Sequence, residues 1–120
     1  MVAYLWVFLG GGLGSICRFG IAQLLSRYQW TFPIATLVAN LLACIVLGWF
    51  MGAVAREGWP TYHRWLFMTG FCGGFSTFST FSAETYLLFE SGQWGLGILN
   101  ILLSVGVCLV GIWLGWLASP

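Results

Sequence analysis

Four long hydrophobic stretches alternate with short polar or turn-rich stretches along the chain. The hydrophobic stretches span residues 2–25, 32–54, 65–89 and 94–117, and the turn-rich stretches include residues 56–60 and 90–93. Each hydrophobic stretch reaches the roughly 20 residues that an α-helix needs to cross the hydrocarbon core of a bilayer. The pattern therefore predicts an all-α integral membrane protein, with four transmembrane helices in a single membrane domain over residues 1–120.

The composition agrees with a lipid environment. Hydrophobic residues make up 60% of the chain and charged residues 6%, whereas soluble domains carry about 25% charged residues. Aromatic residues lie near the predicted membrane boundaries, as in interfacial belts: Trp30, Trp59, Tyr62, Trp65 and Trp94. The four basic residues are all arginines, too few for the electrostatic footprint of a nucleic-acid-binding protein.

The arginines give almost no preference for one orientation in the membrane. Arg27, counted together with Arg18, lies on one predicted side, and Arg56 and Arg64 lie on the other. The positive-inside rule therefore balances. We predict that the chain inserts in both orientations, so that copies can meet antiparallel. The alternative is a weak bias of one arginine and assembly with a different partner.

The third hydrophobic stretch carries glycines in the middle of a predicted membrane crossing. Gly70, Gly73 and Gly74 lie within it, and glycine pairs favour local unwinding of a helix. Unwound backbone at membrane depth persists only where it is buried in protein or lines a polar cavity, and its free carbonyls can ligate ions. We predict that the third helix is broken near its middle and builds an ion site. The alternative is an unbroken helix with a glycine-rich packing face.

Small residues recur at helix-contact spacing in all four stretches. Such pairs let helix backbones approach closely in lipid: Gly10 and Gly14, Gly48 and Gly52, Gly70 and Gly74, Gly111 and Gly115. Four short helices enclose little space, so a homodimer is the natural way to form a pathway. Packing within one chain is the alternative explanation of these glycines.

Hydroxyl side chains alternate with phenylalanines after the glycines of the third stretch. Five of the seven residues from 76 to 82 are serine or threonine, and Phe78 and Phe81 share a helix face. Hydroxyl groups donate hydrogen bonds, and the edge of a phenylalanine ring is positive. These groups favour recognition of a small anion through several weak contacts, as conduction requires, although any single hydroxyl can also bond its own backbone.

The second and fourth stretches add polar side chains at helical spacing. Thr36 and Asn40 lie one turn apart in the second stretch, and Asn100, Ser104 and Cys108 form a narrow stripe in the fourth. The stripe is consistent with a hydrogen-bonding track along a pore and equally with hydrogen bonds between helices. Its spacing does not separate the two.

Two charged residues, Arg18 and Glu84, lie inside predicted transmembrane helices. Ionisable groups at such positions are costly and are functional candidates. Arg18 is predicted either to draw anions into a vestibule or to anchor a helix end by snorkelling. Glu84 is predicted to pair with an arginine or to lie at a vestibule. His63 is predicted to be a solvated loop residue.

The remaining reactive side chains predict no chemistry. The four cysteines are predicted to be small packing residues, since they form no C-x-x-C pair and have no histidine at metal-ligand spacing: Cys17, Cys44, Cys72 and Cys108. The chain has no aspartate, no nucleophile with an assigned base and no phosphate-binding loop. We therefore predict that it is not an enzyme.

Three motifs of the chain resemble those of the CrcB/Fluc family of fluoride channels. They are GGGLGSICR from Gly10 to Arg18, TLVANL from Thr36 to Leu41, and GFCGGFSTFSTF from Gly70 to Phe81. The resemblance covers nearly the whole chain, in order. It implies a fluoride-selective channel that passively exports fluoride from the cytoplasm and protects the cell. It places the chain, as a multi-pass protein, in the plasma or inner membrane of a prokaryote.

The resemblance also implies an assembly and residue roles. The assembly is an antiparallel, dual-topology homodimer with two fluoride pores and a structural Na⁺ ion at its centre. By motif position, the fluoride pathway contains Asn40, Phe78 and Phe81, with Ser79 and Thr80 as companions. We add Thr36 and, from the loosely aligned fourth stretch, Ser104. Gly73 and Ser76 look like Na⁺ ligands through their backbone carbonyls, and Arg18 looks like the family's first-segment arginine, with Glu84 in a supporting place. Ser76 replaces a threonine often found there, which a carbonyl ligand tolerates.

Two other classes of function compete with a fluoride channel. A small proton-coupled multidrug exporter is also a four-helix dual-topology dimer, but its chemistry needs a membrane-buried carboxylate in the first segment. The first stretch here has none, and Glu84 lies in the third. The third class is a structural subunit of a larger membrane complex, against which the dense polar track argues.

Overall fold

A computed structural model describes residues 1–120 as helices joined by short turns, with no strand. The helices are α1 (Val2–Leu25), α2 (Ile34–Glu57), α3 (residues 61–75), α4 (Phe78–Glu90) and α5 (Trp94–Ala118). Helices α3 and α4 together form the third hydrophobic segment. The first and fourth segments match their predicted bounds to within one residue, while the second begins at Ile34 instead of residue 32 and ends at Glu57 instead of residue 54.

Three of the helices are individually long and apolar enough to cross a membrane. Their mean hydropathies are 1.5 for α1, 2.2 for α2 and 2.3 for α5. The third segment is divided into two shorter helices, which together run from residue 61 to residue 90. The molecule measures 48 × 29 × 23 Å, and its long axis slightly exceeds the roughly 40–45 Å of a bilayer with its headgroups. The chain is therefore a multi-pass membrane protein.

Helix α1 packs against α3 with their backbones in direct contact. A Cβ atom added to Gly10 would overlap the Leu66 carbonyl oxygen, and one added to Gly14 would overlap the Phe71 carbonyl oxygen. From the other side, a Cβ on Gly74 would overlap the backbone of Gly11. Only glycine permits this approach, which suits helix association in lipid.

Helix α2 packs against α5 in a constant register. A Cβ on Gly48 would overlap the Ile112 carbonyl oxygen, and one on Gly52 would lie 3.2 Å from the Trp116 carbonyl oxygen. Each of these α2 residues therefore faces the residue 64 positions later, and the two helices run parallel. The predicted small-residue pairs all make such contacts within the chain. The alternative of packing within one chain accounts for them, and they carry no argument for a dimer.

The third segment departs from a regular α-helix before it breaks. Over Arg64–Cys72 it winds as a π-helix. This conformation is rare overall, and where it occurs it is often found at functional sites. The break itself lies at Ser76 (φ −76°, ψ 158°) and Thr77 (φ −149°, ψ 111°), both in extended conformation. The broken helix is confirmed, but unwinding at Gly70, Gly73 and Gly74 was wrong, because those residues are helical.

Aromatic side chains surround His63, which is not the solvated loop residue that we predicted. His63 lies in α3, and its ring centroid is 4.1 Å from that of Tyr62, 5.3 Å from that of Trp59 and 6.1 Å from that of Phe67. Its Nδ1 atom is buried without a hydrogen-bond partner. The helix begins at Thr61, so His63 lies in its first turn with these aromatic rings around it.

Replacing Gly10 with alanine tests the contact between α1 and α3. The added methyl group meets backbone that cannot move away, so Gly10→Ala should lower the free energy of unfolding by about 1–3 kcal/mol, the usual cost of overpacking. Unfolding in mixed micelles with increasing SDS measures the change. Gly12→Ala is the matched control, because a Cβ on Gly12 meets nothing within 4 Å. Equal stability of the two variants would show that α1 and α3 are not in contact here.

Candidate functional site

The side chain of Asn40 holds the break in the third segment. Its Oδ1 atom accepts a hydrogen bond of 2.7 Å from the Thr77 backbone N–H, and its Nδ2 atom donates one of 3.3 Å to the Thr77 carbonyl oxygen. Asn40 lies in α2, so these two bonds tie the extended residue to a neighbouring helix. They replace the backbone partners that Thr77 loses by leaving the helix, as a polar group at membrane depth requires.

Side-chain hydroxyls cap both helix ends at the break. Thr77 is the N-cap of α4, and its Oγ1 accepts a hydrogen bond of 3.2 Å from the Thr80 N–H, the usual role of a threonine at this position. The same Oγ1 donates one of 3.0 Å to the Thr80 hydroxyl. At the end of α3, the Ser76 hydroxyl donates one of 3.0 Å to the Cys72 carbonyl oxygen. The break is thus fixed by local polar contacts on both sides.

One cavity, which we call the phenylalanine cavity, opens beside the break between α2, α4 and α5. Phe78 and Phe81 lie in its wall with ring centroids 5.6 Å apart and an interplanar angle of 42°. Its lining residues come from the second, third and fourth segments: Asn40, Cys44, Ser76, Thr77, Phe78, Phe81, Ser104, Val105 and Cys108. Hydroxyl, amide and thiol groups share this lining with the two phenylalanines. Because a phenylalanine ring has a positive edge, such a lining can contact a small anion without presenting a fixed charge.

A chain of hydrogen bonds connects the phenylalanine cavity to the backbone of α4. Ser104 donates to the Asn100 Oδ1 atom at 3.2 Å, and Asn100 donates to the Thr85 hydroxyl at 2.9 Å. Thr85 in turn donates to the Phe81 carbonyl oxygen at 2.7 Å. Because Asn100 is 1% exposed, this series of hydrogen bonds is excluded from solvent. It joins α5 to the backbone of α4 at Phe81. Hydrogen bonding between helices is confirmed for Asn100, while Ser104 lines the cavity and its place on an ion path stays a prediction.

A second cavity, which we call the Glu84 cavity, lies on the opposite side of the break. Thr36 donates a hydrogen bond of 2.8 Å to one carboxylate oxygen of Glu84, and the other oxygen is buried without a partner. Arg18 donates from Nε to the Gly74 carbonyl oxygen at 3.1 Å. The lining residues are Ser15, Arg18, Phe19, Ala22, Ala35, Thr36, Ala39, Thr77, Thr80 and Glu84. Thr77 borders both cavities, so the break is the partition between them.

Of the alternatives predicted for Arg18 and Glu84, the ion pair between Glu84 and an arginine is absent from the structure. The Nε of Arg18 donates to a carbonyl near the end of α3, where a positive charge complements the helix dipole. Glu84 is bonded to Thr36 instead of an arginine, so the predicted ion pair was wrong. Both residues border one cavity, and a vestibule role for them stays a prediction.

The structure divides the predicted site residues into two groups and leaves two outside. Five lie in the phenylalanine cavity, namely Asn40, Ser76, Phe78, Phe81 and Ser104. Four lie in the Glu84 cavity, namely Arg18, Thr36, Thr80 and Glu84. Ser79 and Gly73 are exposed and line neither. Sequence reasoning missed Thr77 and Thr85. Thr77 could have been found as a threonine N-cap preceding the helix that carries the phenylalanines.

Comparisons with known proteins cover almost the entire chain. The family described as "CrcB-like protein, Camphor Resistance (CrcB)" matches residues 5–116. A relative from Opitutus terrae is 42% identical over 99% of this chain and 93% of its own length. Relatives from Rhodospirillum rubrum and Methylobacillus flagellatus are 41% and 40% identical, over 95% and 97% of this chain and 92% and 93% of their own lengths. All three are named Fluoride-specific ion channel FluC.

Removing the Asn40 side chain tests the clamp on the break. Asn40→Ala leaves the Thr77 N–H unsatisfied, at a cost of about 1–3 kcal/mol. Backbone amides from Thr77 to Thr80 should then exchange hydrogen about tenfold faster or more, measured by mass spectrometry on the protein in nanodiscs.

Leu42→Ala is the matched control, because Leu42 lies on the same helix and is 40% exposed, away from both cavities. It should leave the exchange of these amides unchanged. The clamp would be refuted if both variants exchanged alike.

Proposed function

Since the chain belongs to the CrcB-like family, we propose that it is a fluoride-selective ion channel, which lets fluoride leave the cytoplasm passively and so lowers its toxicity. The observation that carries the proposal is the likeness, over nearly the full chain, to proteins named fluoride-specific ion channels. The resemblance inferred from three sequence motifs is thereby confirmed. The chain is accordingly a membrane transport protein and not an enzyme.

The walls of the phenylalanine cavity suit a small, strongly hydrated anion. Asn40 uses one of its two amide hydrogens on the Thr77 carbonyl, which leaves the other free to donate to an ion. The edges of Phe78 and Phe81 add weak positive poles beside it. Conduction needs contacts that repay part of the lost hydration without trapping the ion. A fixed ammonium or guanidinium in the wall would bind fluoride too tightly, and the cavity contains neither.

The hydroxyl groups of the two cavities extend the proposed path. Ser104 donates its hydrogen to Asn100, so it must rotate to donate to an anion in the phenylalanine cavity. Thr36 and Thr80 border the Glu84 cavity, where Arg18 supplies a positive charge that attracts anions. Thr77 connects the two regions. Ser79, which is exposed, joins the path in this proposal only on a surface covered by another subunit.

An antiparallel homodimer is part of the proposal. Phe78 is 79% exposed in the single chain, although it stands beside a polar break at membrane depth, where such backbone must be covered by protein. A second copy packed on this face would close the phenylalanine cavity from its open side. The balance of Arg18 and Arg27 against Arg56 and Arg64 permits insertion of copies in both orientations.

A structural Na⁺ ion between the two copies also belongs to the proposal. No group of three or more histidine, cysteine or acidic side chains is placed to hold a metal ion, so backbone oxygens are the available ligands. The Ser76 carbonyl accepts no hydrogen bond, and a Cβ on Gly73 would meet nothing within 4 Å. The carbonyls of Gly73 and Ser76 fit half of a cation site, since two oxygens are too few and a second copy would supply two more. Na⁺ there would offset the partial negative charge of the helix end.

The competing exporter remains less well supported. Proton-coupled export of a cation needs a carboxylate that alternates between a proton and the substrate, and α1 carries none. The carboxylate of Glu84 lies in α4 and accepts a hydrogen bond from Thr36. The relatives are named as ion channels and none of those compared is named as an exporter of drugs.

Fluoride efflux from liposomes tests the proposed function. Purified protein reconstituted in vesicles loaded with fluoride should release it as soon as potassium and valinomycin clamp the membrane potential, and a fluoride electrode records the release. Vesicles loaded with chloride should retain it. Efflux no faster than from protein-free vesicles would sink the proposal, and efflux that required a proton gradient would favour the exporter.

Exchanging Phe81 for isoleucine tests the ring edges. Isoleucine keeps an apolar side chain of similar width but has no positive edge, so Phe81→Ile should reduce fluoride efflux by about tenfold or more. Crosslinking of the reconstituted protein should show the same oligomer as in the unmodified chain.

Phe89→Ile is the control for this exchange. Phe89 lies on the same helix and stacks on Trp94 with ring centroids 4.7 Å apart, outside both cavities. Its replacement should leave efflux near that of the unmodified protein. Unchanged efflux in Phe81→Ile would remove the ring edge from the mechanism.

A further inference from the structure

Two cysteines face each other where α2 and α5 approach the phenylalanine cavity. Gly48 meets Ile112 in backbone contact, and one helical turn earlier on each helix stand Cys44 and Cys108. Because α2 and α5 run parallel with this register, side chains one turn before a backbone contact point toward one another. The register therefore places the two thiols opposite one another.

The contacts of the two thiols agree with this register. Both residues line the phenylalanine cavity, one from α2 and the other from α5. Neither forms a disulfide, and both are partly buried. A third thiol, that of Cys72, is buried and does not line this cavity. The expectation that the cysteines are only packing residues therefore leaves this pair unexplained.

We propose that Cys44 and Cys108 form a two-coordinate binding site for a soft, thiophilic metal ion in the wall of the phenylalanine cavity. Sulfur ligands select soft ions such as Cu(I), Ag(I) and Hg(II), which accept two thiolates in a nearly linear arrangement. No third histidine, cysteine or acidic group completes a larger site. Harder ions, which need four to six ligands, are therefore excluded from it.

The charge balance favours a divalent ion of this class. Binding breaks both S–H bonds and forms two S–M bonds, and the two protons are released together with the anions that the metal ion carried, two chlorides in the case of mercuric chloride. With Hg(II) the product is neutral, whereas Cu(I) or Ag(I) leaves one negative charge. A neutral complex avoids the cost of an isolated charge at membrane depth. Mercuric ion is thus the most suitable probe.

Occupancy of the site should obstruct the ion path, a step that rests on the proposed channel function. Asn40 and Ser104 lie one turn from the two cysteines in the same cavity. A metal ion bridging α2 and α5 fills the space beside them. Fluoride flux should then fall, while binding of the metal itself does not depend on any conduction.

Mercury retention by the reduced, detergent-solubilised protein tests the site directly. After loading with mercuric chloride and competition with a monothiol, the unmodified chain and Cys17→Ala should keep one mercury per chain, measured by mass spectrometry of the metal. Cys44→Ala and Cys108→Ala should each lose it at monothiol concentrations about 10²-fold lower, because the second thiol binds intramolecularly. Cys17 is exposed on α1 and serves as the control for thiol number. Equal retention by all four proteins would overturn the proposal.

Fluoride efflux from vesicles gives the second readout. Mercuric chloride should stop efflux from the unmodified protein and from Cys17→Ala, with recovery after a dithiol chelator removes the metal. Mercury held by the cysteine pair without loss of efflux would overturn its placement on the ion path. Absence of efflux from every protein before mercury is added would contradict the channel function instead, and the retention measurement would still decide the metal site.

Discussion

The paired hydrogen bonds between the Asn40 side chain and the Thr77 backbone are the contact on which the rest of the site depends. An extended peptide at membrane depth exposes a donor and an acceptor that lipid cannot satisfy, at a cost of several kcal/mol. Asn40 supplies both partners, at 2.7 and 3.3 Å. An amide side chain is neutral and carries its donor and its acceptor on two separate atoms, which match the N–H and C=O of one extended residue. The break therefore needs a residue of this type at this position on α2.

Other features of the site follow from the break. Because the chain is extended at Ser76 and Thr77, α3 ends with free carbonyls and α4 begins with a capped N-terminus that carries Phe78 and Phe81. Arg18 donates a hydrogen bond to a carbonyl oxygen at the end of α3, and the Thr77 hydroxyl accepts one from a backbone N–H at the start of α4. A continuous helix would have no such ends, and the two cavities would not be divided by one residue.

The hydrophobic pattern predicted the four segments because membrane thickness fixes their length, and it also placed the polar residues on the correct helices. It misplaced the break, since glycine has two uses in a membrane helix. Gly70 and Gly74 serve close approach to α1, while the break is set by the partner of Thr77 on another helix, which local sequence does not contain. The same limit applies to Glu84, whose partner Thr36 is 48 residues away. Likewise, local sequence does not show that Cys44 and Cys108 face each other, because this depends on the register of α2 against α5.

That register also explains why polar, thiol and glycine residues follow one another along α2. The stripe Asn40, Cys44, Gly48 becomes smaller with each turn, and the two backbones come into contact at Gly48 and Ile112. The phenylalanine cavity is therefore closed at the glycine end by helix contact and remains open on the face where Phe78 is 79% exposed. An ion in this cavity cannot continue between α2 and α5 within one chain. The closed end is consistent with our proposal that a second copy covers the Phe78 face.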